Sequence, residues 1–425
     1  MKKTIKQILG SDFRNFTMII ALVVLLIGFN IISGGKMITS SNIQNLITGN
    51  AYVLILAIGM LMVIVIGQID LSVGSVAGFA GMAMALAARD LGFPWWLAVL
   101  LSLAIGAVAG AWQGFWVAKL GIPGFITTLG GMMIFRGGVI WLSRSISVPA
   151  PKELKVFGAG YLPDWGRELT GLNNFTMMLA LIAVIIFAAA QLRKRRRTEA
   201  LTGSPEPLWP VVTRIVLVGI IIGYVAWLFA SGRPGTSFPI PGIILLALVI
   251  IYHTVTQRTR LGRHIYAVGG NKTAAALSGV NVSRTYFFTM MNMSLLAALA
   301  GIIYLGRSTA AGPSYGISWE MDAIASVFIG GAAVSGGIGS VLGTMVGGLV
   351  MAVLNSGLML MGVGADRTQV IKGFVLLAAV AFDVYNKQHS RRAADTTAAL
   401  DKGGKHEGDV PSGSEPTKVR PAGSQ

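Results

Sequence analysis

An all-α polytopic membrane protein with about 10–12 transmembrane helices is the fold class that this sequence predicts, on three observations. Apolar runs recur along the 425 residues, many near the roughly 20 helical residues that a hydrocarbon core requires, in a chain that is 54% hydrophobic and only 12% charged. The Lys and Arg residues behind the formal charge of +17 cluster at the ends of those runs. There they set orientation, so no nucleic-acid partner is expected. The 55 glycines lie largely within apolar stretches, where glycine permits close helix approach and local unwinding, and they predict short Gly-rich broken helices.

The elements follow in order. Residues 1–15, with Lys2, Lys3, Lys6 and Arg14, are expected to form a cytoplasmic amino terminus. The run 16–33 is long for a signal-peptide core and ends in FNIISGGK without a small-x-small cleavage site, so it is read as a retained span. Spans at 43–66, 73–88, 95–118, 123–143 and 173–190 follow, and six crossings place Arg193, Lys194, Arg195, Arg196 and Arg197 in the cytoplasm. Spans 209–230 and 240–256 bring the loop 257–285 inside. Spans 286–306, 323–334, 338–361 and 369–385 then return Lys387, Arg391 and Arg392 to the same side. The transmembrane domain is thus 16–385, and the polar stretch 386–425, which lacks apolar periodicity, is expected to be a disordered cytoplasmic tail. Outward loops are expected at 34–42, 89–94, 144–172, 231–239, 307–322 and 362–368, the largest having the mixed charges and prolines of an ordered loop.

A short internal repeat accompanies this layout: GSVAG at 74–78 matches GSVLG at 339–343, each after a Gly-rich break. Parallel repeats of this kind can build a path between two halves of a membrane protein.

Little in the sequence points to catalysis or a resident cofactor. The absence of cysteine excludes disulfides and thiolate sites, and His253, His264, His389 and His406 form no H-x-x-x-H pair, so no metal site is expected. GGNKT at 269–273 ends like a phosphate-binding loop, but Asn271 stands where glycine must precede Lys272, so any ATP is expected to be bound by another chain.

The ionisable residues near apolar segments are Asp70, Asp322, Asp366 and Arg136. Intramembrane charges mark functional paths when they are not structural. Asp70, in GQIDLSVGS, either caps the helix starting near Ser72 or lines a polar path with Ser72 and Gly74. Arg136 either faces a path or packing interface, or snorkels. The glycine sets TTLGGMMIFRGG and GGAAVSGGIGSVLGTMVGGL, the latter with Gly336 and Gly337, suit both tight packing and a broken helix lining a path. Trp95, Trp96, Trp112 and Trp116 fit interfacial anchors or a sugar-stacking platform, and the 193–197 basic run fits topology or contact with anionic membrane lipid.

Between Tyr266 and Thr285 the polar loop carries a helix signature, with Asn271 as N-cap, three consecutive alanines and Gly279 as terminator. At about two turns it is too short to be stable alone, and its small side chains suit insertion into a groove.

GQIDLSVGS at 67–75, GIPGFITTLGGMMIFRGG at 121–138, LGRHIYAVGGNKTAAALSGVNVSR at 261–284 and EMDAIASVFIGGAAVSGGIGSVLGT at 320–344 resemble, in this order, the permease subunits of bacterial monosaccharide ABC importers. The resemblance runs from about residue 40 to 385, and the additional pair of spans around 191–208 is similar to the longer xylose or multiple-monosaccharide permeases. It implies a non-enzymatic transport subunit of the inner membrane, working as a homodimer with separate sugar-import ATPase subunits and a periplasmic sugar-binding protein. It further implies that 257–285 is the coupling loop, with Gly270, Asn271, Ala274, Ala275, Ser278 and Gly279 at the matching positions. AAVSGG at 332–337 and GQID at 67–70 depart from the usual T-S-L-x-G-G and G-G-I-D, so no sugar contact is assigned there. The competing class is an ion-coupled secondary carrier, which would transport without an ATPase.

Overall fold

The computed structural model describes residues 13–202, 207–378 and 380–381. Lys2, Lys3, Lys6, His389, His406, Lys387, Arg391, Arg392 and the expected tail lie outside the described residues. The chain divides into one compact unit ending at Leu376 and a second from Leu377 onward, in which 377, 378, 380 and 381 are helical.

In the first unit, α1 (Phe13–Ile32), α2 (Ser40–Val65), α3 (Val73–Asp90), α4 (Trp95–Ala118) and α5 (Gly124–Ser143) lead to a loop holding β1 (Val148–Pro149) and the short helices α6 (Lys155–Ala159) and α7 (Arg167–Thr170). Next come α8 (Asn174–Thr202), α9 (Leu208–Ala230), α10 (Ile240–Arg258), α11 (Arg260–Gly270), α12 (Lys272–Leu277) and α13 (Val282–Ser308). Strand β2 (Ala310–Ala311), α14 (Trp319–Ile329), α15 (Val341–Leu360) and α16, starting at residue 365, complete the unit. Eight helices among the described residues are long and apolar enough to cross a membrane: α2, α4, α5, α8, α9, α10, α13 and α15. Helices α1 and α3, with 20 and 18 residues, have the length to join them.

Helices α2 and α13 form the centre, with most of their residues buried. The pair α4 and α13 is held close by glycines at four-residue spacing, the small-residue pattern that lets membrane helices approach. A Cβ at Gly106 would lie 2.6 Å from that of Ala298, one at Gly110 2.6 Å from the Met291 backbone, and one at Gly114 3.0 Å from the Phe287 carbonyl oxygen. Helices α8 and α9 instead pair mainly with each other as an appended hairpin and leave Leu181, Ile185, Ile186, Ile220 and Ile221 exposed.

Three expectations are corrected. Helix α8 continues through the basic run to Thr202 instead of ending near 190, because Arg and Lys are good helix formers. The span expected at 323–334 is an 11-residue helix ending at Ile329, roughly 16 Å long and about half of a hydrocarbon core. The outward loop expected at 307–322 is drawn into the bundle, with Tyr315 and Trp319 buried. The cause is a glycine face on α3: a Cβ at Gly74 would meet the Gly316 carbonyl oxygen at 2.2 Å, and one at Gly78 would meet that of Tyr315 at 2.6 Å. A two-residue strand and a run of turns over 313–318, followed by a half-length helix, therefore follow α13.

Both repeat copies lie at a junction of break and helix, in different register. GSVAG lies wholly within the first turns of α3 after the break at 66–72, whereas Gly339 and Ser340 of GSVLG end the break at 330–340 and Val341 starts α15. Irregular backbone at such depth persists only where the protein satisfies its polar groups, which is what the surroundings of both breaks do.

Candidate functional site: the short capped helix and the two breaks beside it

Helix α12 is built as the residue types dictate. The Asn271 side chain accepts a hydrogen bond from the Ala274 N–H at 2.9 Å, occupying one of the free donors of the first turn. At the other end Gly279 takes a left-handed φ of +83°, and the N–H groups of Gly279 and Val280 donate to the carbonyls of Ala276 and Ala275 at 3.0 Å each, a helix-ending pattern that favours glycine. Ser278 donates its hydroxyl to the Ala274 carbonyl at 2.9 Å. Of the residues singled out here, Ala275 faces inward and is buried, while Gly270, Asn271, Ala274, Ser278 and Gly279 are exposed. The outward face also carries Leu277, 86% exposed. Composition concealed this residue, because one leucine among alanines reads as an ordinary helix former.

Helix α11 joins α12 to the bundle. It starts at Thr259, whose hydroxyl accepts from the Gly262 N–H at 3.2 Å, and buries Gly262, Ile265 and Val268 on one face. Its carboxyl end lies where the two breaks meet. A Cβ at Gly269 would stand 1.7 Å from the Val65 carbonyl oxygen, at the end of α2. That same oxygen accepts a hydrogen bond from the Gly337 N–H at 2.8 Å. Gly336 and Gly337 have φ of +79° and +75°, a region open to glycine at little cost, and a Cβ at Gly336 would lie 3.0 Å from the Gly269 oxygen and 3.2 Å from the Gly67 nitrogen. Tyr266 adds the one side-chain bond to the 330–340 break among the described residues of α11, donating to the Gly339 carbonyl at 2.8 Å.

The break at 66–72 is closed by a buried polar chain. Asp70 accepts from the Ser72 N–H at 2.8 Å and the Ser72 hydroxyl at 2.6 Å, and the Gln113 amide donates to Ser72 at 2.7 Å. Asp70 thus bonds only Ser72, the residue before α3, and none of the free N–H groups of the helix's first turn, and its other oxygen has no partner among the described residues. Gln68 accepts from the Gly124 N–H at 2.7 Å, and Thr128 bridges the Ile69 carbonyl and the Leu71 N–H at 3.2 and 3.1 Å. Motifs far apart in sequence are therefore one object: the 67–75 and 121–138 stretches lock together, and the 261–284 and 320–344 stretches meet them at Gly67.

Of the path candidates, Asp70 and Ser72 share this buried chain, Gly74 lies against Gly316, and Gly336 and Gly337 form the other break. Arg136, half-buried on α5, makes no hydrogen bond or ion pair among the described residues, but lies within electrostatic reach of Glu320. Glu320 is itself buried, with an unpartnered oxygen beside Gly74. Assigning 307–322 to an outward loop hid it from sequence reasoning. Asp322 pairs with Lys372 of α16 at 2.9 Å, and Asp366 is exposed. No cluster of potential metal ligands occurs among the described residues.

The opposite face is an ordered platform. The Asp164 carboxylate accepts from the Gly235 N–H and the Asn173 amide at 3.1 Å each, and Arg167 lies 3.6 Å away. Arg167 also donates to the Gly232 and Arg233 carbonyls. Pairing of Val148 with Ala311 and Pro149 with Ala310 binds the same loop to the end of α13.

The family described as branched-chain amino acid transport system / permease component matches residues 42–380. A xylose transport system permease protein of Haemophilus influenzae is 36% identical over 378 residues, covering 89% of this chain and 98% of that protein. Its counterpart in Escherichia coli K12 is 37% identical over 380 residues, covering 89% and 94%. A ribose import permease protein of the same strain is 32% identical over 370 residues, covering 86% and 92%. No solved structure gives a significant match.

Proposed function

Since the chain belongs to this permease family and is a monosaccharide ABC permease within it, we propose that it forms the membrane path of an ATP-driven importer of monosaccharides, pentoses foremost, and that α12 is where separate ATPase subunits drive it. It is a transport subunit rather than an enzyme, multi-pass in the bacterial inner membrane. Both termini and α12 face the cytoplasm, two copies form the working permease, and membrane lipid covers the exposed α8–α9 hairpin. The ordered face built from 144–172 and 231–239 receives a periplasmic sugar-binding protein. Asp70, Ser72, Gly74, Arg136, Gly336 and Gly337 belong to the path or to the breaks that shape it.

The observation that carries the coupling role is an exposed two-turn helix, capped at both ends, that presents Leu277 outward while α11 anchors it to both breaks. A lone exposed leucine on such a lever fits an apolar groove in a partner. Burying it there contributes about 2 kcal/mol, roughly thirtyfold in affinity. The test is co-purification of the cognate ATPase with Leu277→Asp. Recovery of ATPase is expected to fall at least tenfold while the permease itself stays monodisperse; recovery equal to wild type would remove α12 as the docking element. Ala275 is the wrong position for that experiment, since it is buried within its own chain.

A further inference from the structure

Resting on the assignment of α12 as the ATPase contact, the geometry points to Tyr266 and Gly269 as the pair that transmits its displacement. Tyr266 is a positioning residue for the 330–340 break, and Gly269 does the same for the 66–72 break.

Helix α12 is separated from α11 by Asn271 alone, which caps the first and ends the second. A shift of α12 therefore moves the last turn of α11 with little slack. The end of α11 meets the breaks through close backbone approach at Gly269 and Gly270 and through one side-chain hydrogen bond. The Gly269 backbone touches the Val65 carbonyl so closely that a Cβ there would stand 1.7 Å from the oxygen, and the Val65 carbonyl is in turn held by Gly337 at 2.8 Å. The Tyr266 hydroxyl donates to Gly339 at 2.8 Å, one residue before Ser340, whose side chain caps α15 by accepting from Gly343 at 3.0 Å. Burial pushes the Tyr266 hydroxyl pKa up, so it stays protonated and remains a donor across the working range of pH.

The two kinds of contact divide the work. Backbone contact at Gly269 bears by steric exclusion on the end of α2, on Gly336 and Gly337 of the other break and, through Gly67, on the segment leading to Asp70. The Tyr266 hydrogen bond pulls on the hinge of α15. Since both breaks share the Val65 carbonyl, one movement of α11 shifts them together, and a path bordered by the two would change at both margins in one step. Packed elements of this kind have discrete arrangements rather than continuous ones, so loss of one contact should uncouple movement from ATP use instead of scaling it down.

The test uses the full-length permease assembled with its ATPase and binding protein in proteoliposomes, with radiolabelled xylose and ribose as probes. Uptake and ATP hydrolysis are measured together for wild type, Tyr266→Phe, Gly269→Ala and Leu277→Asp. Tyr266→Phe removes one hydroxyl and keeps the ring; it is expected to keep the wild-type melting temperature and to retain ATPase binding and hydrolysis within about twofold, while sugar imported per ATP falls about tenfold. Gly269→Ala is expected to lower the same ratio, and should it not assemble, Tyr266→Phe decides alone. An unchanged ratio in Tyr266→Phe, with Leu277→Asp losing the ATPase, overturns the transmission role and leaves the docking role standing. Retained ATPase in Leu277→Asp overturns both.

Discussion

At the scale of single residues, Asp164 makes the most accessible prediction. The Gly235 N–H, then the Asn173 amide and the Arg167 guanidinium, hold its carboxyl below the usual carboxylate range. A depressed folded pKa contributes order that is complete above the unfolded value of about 3.9 and is lost as the pH falls through the folded value. Amide exchange in 160–175, corrected for its intrinsic pH dependence, is therefore expected to be slow at pH 6 and to accelerate below pH 4. Asp164→Asn should exchange quickly at both. Equal protection in the two proteins at pH 6 would show that the carboxylate does not fasten the loop. Residue identity announced the cap and stop of α12 at Asn271 and Gly279, because those side chains act locally. It did not announce Leu277, Tyr266 or Glu320, whose significance depends on which way a side chain points and which backbone lies opposite.

At the scale of elements, the glycines divide into two jobs that composition alone leaves merged. Gly106, Gly110 and Gly114 are spacers between α4 and α13, whereas Gly67, Gly336 and Gly337 take positive φ and make breaks. Replacing Gly110 by Leu forces a side chain into the Met291 backbone, and overpacking of this kind costs about 1–3 kcal/mol. The melting temperature in detergent is expected to drop by several degrees, and an unchanged value would mean that α4 and α13 do not approach this closely. Long apolar helices were legible in the sequence because hydropathy and length suffice to define them. The half-length α14 and the inserted segment before it were not, since a hydropathy window joins a short helix to its neighbours. Only the matching glycine face on α3 explains why 309–318 enters the bundle.

At the scale of the whole molecule, four motifs dispersed between residues 67 and 344 converge on two breaks and one short exposed helix. The order of the motifs along the chain made the class legible, and the family match over 42–380 agrees with it. Their convergence was not legible, because it arises from long-range contacts between backbones. In the proposed mechanism, this convergence is what would join ATP use by a partner to a path through the membrane. The most direct measurement is uptake of radiolabelled xylose into proteoliposomes holding the permease, the ATPase and the binding protein, with and without ATP and with and without an imposed ion gradient. Uptake is expected only when ATP and both partners are present, and is expected to be indifferent to the gradient. Accumulation by the permease alone, driven by the gradient, would contradict the account.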